Sequence, residues 1–186
     1  METGRKASAR VANIVIFKAV YVACVLGALH VSPWLGPAVG ALLLPLERLM
    51  VDRVEARRVV VVVLLAGTIG TALDSALRAT DLLGFSPETL PEGWPAWLAP
   101  PWIACLWFAL GTLMRSSLAW LGRLPRWLQA AFGAGTGVLS FWSASKLGVT
   151  ELPRGGASIA ALAIEYAVVV PILLGTRPPE DALPRA

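Results

Sequence analysis

The chain is short of charge. Of its 186 residues only 15% are Asp, Glu, Lys or Arg, while 56% are hydrophobic and the mean hydropathy is +0.68. A soluble domain of this length has too little interior to hide so much apolar surface. Histidine is nearly missing: His30 stands alone, which excludes a Ser-His-Asp set and a histidine-built metal site, and leaves carboxylate, lysine or tyrosine chemistry open. Cysteine is limited to Cys24 and Cys105, with no CxxC, so two buried small thiols are the plain reading. No metal and no cofactor are expected. A net charge of +4 and a pI near 9.6 would suggest a nucleic-acid partner in a soluble protein. Here the positive residues lie between apolar blocks, where they set membrane orientation, and no nucleic-acid partner is expected.

What the chain has instead is a series of apolar blocks, each roughly 20 residues long, the length that crosses a bilayer as a helix. They predict an all-α polytopic membrane protein with helices over residues 11–30, 34–50, 59–80, 98–121, 127–147 and 156–175. Residues 1–10 form a basic N-terminal segment, 11–175 a six-helix transmembrane domain and 176–186 a polar tail. Pro37 falls in a first turn, where proline is tolerated, while Pro45 should bend the second helix near its end. Residues 82–101 are interrupted by Pro87, Pro91, Gly93, Pro95, Pro100 and Pro101 and carry Trp94 and Trp97, which suits an irregular, interfacial or re-entrant segment. Trp34 and Trp102 fit the same interface, Trp120 and Trp127 the opposite one, and Trp107 and Trp142 the bundle interior. Arginine concentrates at the N-terminus, in alternate connectors and in the tail, so both termini are placed in the cytoplasm.

Charges inside the blocks are the candidates for function, because a carboxylate at membrane depth is expensive and by default faces protein and has a partner. Asp74 and Arg78 lie one turn apart, with Asp74 about 7 Å from its helix midpoint. Lys18 and Glu165 both fall near helix midpoints and are expected to pair. Lys146 lies near the end occupied by Arg78, and Glu47 and Arg115 near the opposite end. The bland account makes all of these ion pairs that tie helices together. Gly67, Thr71, Asp74 and Arg78 share one helix face, flanked by Ser75. Gln129, Gly133, Thr136, Ser140 and Ser143 repeat the spacing in the fifth helix. The two faces are expected to meet as a polar crevice open to the outer side, floored by Asp74 and lined by Arg78, Ser140 and Ser143, with Trp142 as a candidate ligand platform. The competing account of Gly133 and Gly137 is a GxxxG that only lets helices approach.

The segments LDSALRATDLLGF, LWFALGTLMRSSLAWL and FGAGTGVLSFWSASKLG, with the FKAVYVACVLGA start and the VVVPILL end, resemble a family of small bacterial membrane proteins, domain of unknown function 2878. The resemblance covers nearly the whole chain and implies a multi-pass protein of the bacterial inner membrane. It implies no established activity, and a lipid-related role only through members encoded beside enzymes that modify membrane fatty acids. The chain departs from the family at Gly137-Val138, where Gly-Pro is common, and at Tyr21, where Trp is usual.

The functional expectation is a protein that handles a lipid or small molecule in the outward crevice, as an accessory to lipid modification, with membrane lipids, a second copy or other membrane proteins as partners. Two alternatives stand beside it. One is an intramembrane enzyme using Asp74 and Arg78, for which no nucleophile and base pair is identifiable. The other is a scaffold without chemistry of its own.

Overall fold

The computed structural model describes residues 2–46 and 53–175, with side chains over 11–46 and 59–175. Among the described residues are six α-helices: α1 (Glu2–His30), α2 (Leu35–Leu43), α3 (Arg53–Ala79), α4 (Pro101–Arg115), α5 (Arg126–Lys146) and α6 (Gly156–Gly175). Two short strands, β1 (Gly84–Phe85) and β2 (Thr150–Glu151), interrupt an otherwise helical chain. α1 begins at Glu2, so residues 2–10 are helical and continuous with the first apolar block.

Three helices contain stretches long and apolar enough to cross a membrane: Val11–His30, Val59–Ala79 and Gly156–Gly175. Each reaches about 30 Å, the thickness of a bilayer's hydrocarbon core. α5 has 21 residues, but Gln129, Thr136, Ser140 and Ser143 dilute its apolar character. The other two helices are shorter than their apolar blocks suggest. α2 has 9 residues, about 14 Å, and passes into a 3-10 turn over 44–46 at Pro45; the rest of the expected 34–50 helix lies outside the described residues. α4 has 15 residues, about 22 Å, instead of the expected 98–121. It starts at Pro101, whose missing N–H costs nothing in a first turn. It stops at Arg115, where the Ser116 hydroxyl bonds back to the Thr112 carbonyl at 3.0 Å and the chain turns into a 3-10 segment, Ala119–Arg123.

α4 is the centre of the bundle. It packs on α1, α2, α3 and α6, and buried residues occur all round it, from Trp102 and Ile103 to Leu113 and Met114. α3 packs chiefly on α4, and α5 chiefly on α6. Glycines set these contacts. A Cβ on Gly111 would lie 2.7 Å from the Val63 Cα, so α3 and α4 meet backbone to backbone there. Gly36 and Gly40 of α2 give the same close approach to Cys24 of α1 and Cys105 of α4, two free buried thiols that interact with each other. The outside of the bundle is as apolar as the inside: Val15, Leu64, Ile164 and Val168 are all exposed. Such a surface suits lipid rather than water.

The ends of α3 and α5 are built alike. Leu82 N–H donates to the Leu77 carbonyl at 2.9 Å and Asp81 N–H to Arg78 at 3.1 Å, with Asp81 left-handed at φ 58°. Val149 donates to Ala144 at 3.0 Å and Gly148 to Ser145 at 3.1 Å, with Gly148 at φ 74°. Both are Schellman endings, with Asp doing at position 81 what Gly does at 148. Each feeds a two-residue strand, and the strands pair antiparallel with Gly84 opposite Glu151 and Phe85 opposite Thr150. The 82–101 connector, expected to lack regular structure, is thus pinned at its start to the α5–α6 connector. Trp102, expected at the interface, is buried at 1% exposure and donates to the Thr89 carbonyl at 3.0 Å, folding the connector over the bundle end.

Candidate functional site

Asp74 is fully buried on α3. Its partner comes from α4: Trp107 Nε1–H donates to Asp74 Oδ2 at 2.6 Å, while Asp74 Oδ1 has no hydrogen-bond partner. An indole N–H in an apolar interior has to find an acceptor, and an acceptor-only carboxylate is its natural complement. Gly70 makes the meeting sterically feasible, since a Cβ there would run into the Trp107 ring, and Gly67 does the same for Phe108. Trp107 in turn packs on Tyr166 of α6, ring centroids 4.8 Å apart, and Tyr166 meets Phe141 of α5 edge-on at 6.2 Å. Gly133 and Gly137 form the socket for Tyr166, so the GxxxG of α5 is a packing feature.

The expected seam between the polar faces of α3 and α5 is therefore corrected. Aromatic side chains of α4 and α6 fill the glycine sockets on both faces, so Trp107 and Tyr166 stand where the seam was expected. Arg78 turns away from Asp74: its guanidinium donates to the Leu98 carbonyl and lies 5.5 Å from the Phe85 ring centroid. It ties the connector to α3. Ser75 is structural as well, donating to the Thr71 carbonyl at 2.6 Å and accepting the Ala99 N–H at 3.0 Å. The Thr71 hydroxyl oxygen is buried and has no partner.

The expected Lys18–Glu165 pair is not formed. Lys18 is exposed, its ammonium 5.8 Å from the Tyr21 ring centroid, whereas Glu165 is 6% exposed and both its carboxyl oxygens lack a hydrogen-bond partner. Lys18 keeps its head outside by lying along its own helix, as a long amphipathic side chain does. Lys146 does the same over Trp142 at 5.6 Å. Trp142 is 47% exposed on the outer face of α5, not in the interior, and Ser143 beside it is half-buried. Arg115 is half-buried at the last turn of α4, and its expected partner Glu47 lies outside the described residues. Ser117 donates to Asn13 Oδ1 at 2.7 Å and the Ser116 hydroxyl lies against the same oxygen, a part-buried polar tie between the end of α4 and α1 that the charge pattern did not indicate.

A cavity of about 230 Å³ replaces the polar crevice. Its lining residues on α4 extend from Trp102 to Met114, about 18 Å of helix, and it is walled as well by Phe17 and Tyr21 of α1, Phe132 and Phe141 of α5 and Tyr166 of α6. Most of the lining is apolar or aromatic; Asp74, Thr136, Ser140 and Thr150 are its few polar side chains besides the two tyrosines. Thr136 and Ser140 line it and are also exposed, so the cavity opens sideways past α5. Of the polar residues singled out in the sequence, Asp74, Thr136 and Ser140 belong to this cavity, and Arg78, Thr71, Ser75, Gln129, Trp142 and Ser143 do not. Trp107 and Tyr166 are the members that charge patterning missed. The signal available for them was the glycines: a missing side chain on a packed helix leaves room for a large neighbour, and Gly70 receives Trp107 while Gly133 and Gly137 receive Tyr166.

The chain belongs to the family described as protein of unknown function (DUF2878), whose model matches residues 10–172. No curated protein and no solved structure matches it.

Proposed function

We propose that this protein is a multi-pass protein of the bacterial inner membrane that takes the hydrocarbon chain of a membrane lipid, sideways from the bilayer, into the cavity along α4. The observation that carries this reading is the lining of the cavity: mostly apolar and aromatic, drawn from residues spread along α4, and open on a face whose neighbouring surface is itself apolar. Ligand cavities are typically apolar with a few placed polar groups. The lining residues are spread over about 18 Å of α4, a distance along which an extended acyl chain can lie. Six crossings, with both termini cytoplasmic, remain the topology we favour, with α2 and α4 crossing as shortened helices beside longer neighbours. Arg123 and Arg126 then flank the cytoplasmic interface, and the β1–β2 end faces outward.

Photolabelling tests the reading. The full chain is reconstituted in vesicles doped with a phospholipid that bears a diazirine along one acyl chain, then irradiated and digested. Adducts on Phe17–Val25, Leu106–Met114 and Phe132–Ala144 are expected, at residues lining the cavity. Adducts confined to the outer surface, at positions such as Leu64 and Ile164, would refute it.

A further inference from the structure

α3 and α6 pack against each other, and their two carboxyl groups, Asp74 and Glu165, are within electrostatic reach of one another. They are 0% and 6% exposed. Of the four carboxyl oxygens, only Asp74 Oδ2 has a hydrogen-bond partner, the Trp107 indole; Asp74 Oδ1 and both oxygens of Glu165 have none. Tyr166 on α6 lies within electrostatic reach of both carboxyls, and Tyr21 on α1 within reach of Tyr166. α4 presents the Trp107 ring, which does not titrate; its Cys105 thiol sits against Gly40 of α2 and interacts with Cys24, and Arg115 is about 12 Å further along the helix. α5 carries no ionisable side chain between Arg126 and Lys146. The cations that might have answered the pair are turned elsewhere: Lys18 to Tyr21, Arg78 to Leu98 and Lys146 to Trp142.

Two like charges so placed, dry and without a cation between them, cannot both persist, and carboxyls that share a site keep a proton. A hard divalent cation would need about six to eight oxygen ligands, and the pair leaves three free. We propose that Asp74 and Glu165 form a proton-binding site inside the bundle. The indole N–H favours Asp74 as the carboxylate, and Glu165 carries the proton as the neutral acid. Release breaks the Glu165 O–H bond, leaves the electron pair on the carboxylate oxygen and passes the proton to water by way of Asp74, the member of the pair that lines the cavity. The site thus gives the span a place to take up and give off a proton, whatever fills the cavity.

Infrared spectroscopy of the full chain in lipid tests this. A carbonyl-stretch band of a protonated, buried carboxyl is expected at neutral pH, moving on ¹³C-glutamate labelling and absent from Glu165→Gln. Wild-type protein without such a band at neutral pH overturns the proposal, and needs no variant to fold. A band that survives in folded Glu165→Gln also overturns it. So does a band abolished by sodium at constant pH, which would make the site a metal-cation site. The double variant Asp74→Asn with Glu165→Gln, whose amides imitate the neutral pair, is expected to keep the elution profile and helicity of the wild type.

Discussion

Gly111→Ala tests how the site is held together. The new methyl carbon would stand 2.7 Å from the Val63 Cα, 3.1 Å from the Ala66 Cβ and 3.3 Å from the Val62 carbonyl oxygen. Carbon atoms prefer separations of about 3.5–4.0 Å, so α3 and α4 have to part by about 1 Å. The nearest atom is backbone, and no rotamer change can relieve the contact. Overpacking of this kind costs about 1–3 kcal/mol, and a chain of this size loses about 2–4 °C of midpoint per kcal/mol, so a fall of about 2–12 °C follows. The same shift pulls Asp74 from Trp107, whose bond spans these two helices at 2.6 Å. Cys24 and Cys105, the only two cysteines, are 0% and 7% exposed, so a thiol-reactive fluorogenic dye reports unfolding directly during heating in detergent. Gly135→Ala on α5 is the control, because nothing lies within 4 Å of its Cβ position. Equal midpoints for Gly111→Ala and wild type, or an equal fall in both variants, would refute the close-packing argument.

Three further outcomes follow from the same geometry. Trp107→Phe removes the one donor that Asp74 has and should cost about 1–3 kcal/mol in the same thermal assay; adding Asp74→Leu should recover part of that loss, because position 74 then no longer buries a carboxyl without a donor. Ser140→Trp places a large ring at the exposed mouth of the cavity, and should cut photolabelling of Leu106–Met114 by diazirine lipid at least several-fold while the midpoint stays near wild type; undiminished labelling would put the entrance elsewhere. Asp81→Val should destabilise by about 1–2 kcal/mol because a branched side chain resists the left-handed backbone, whereas Asp81→Gly should not. The exposed Arg154–Asp81 ion pair, 3.7 Å long, contributes too little to reverse that order.

Composition and block length were enough for an all-helical bundle with stretches long and apolar enough to cross a membrane near 11–30, 59–80 and 156–175, because a bilayer imposes one length and one polarity on whatever crosses it. The close contacts of Gly133 and Gly137 were legible in the same way, since a missing side chain means a close neighbour. The extents of α2 and α4 were not: apolar content persists past Leu43 and Arg115, and what stops the helices is local chemistry at Pro45 and Ser116. The two-residue β1–β2 pair was equally illegible, because its register depends on two Schellman turns far apart in the chain.

Asp74 as the residue to watch was set by sequence alone, for the physical reason that a carboxylate in an apolar span must be accounted for. Its surroundings were decided only in three dimensions. Helical spacing identifies which residues share a face, but not which neighbour that face meets. Here the glycines of α3 received the aromatic rings of α4, those of α5 received Tyr166 of α6, and Arg78 and Lys18, long enough to choose, reached outward instead of pairing. The result is a mostly apolar cavity where a polar crevice was expected, and a buried acidic pair where charge counting had paired each carboxylate with a cation.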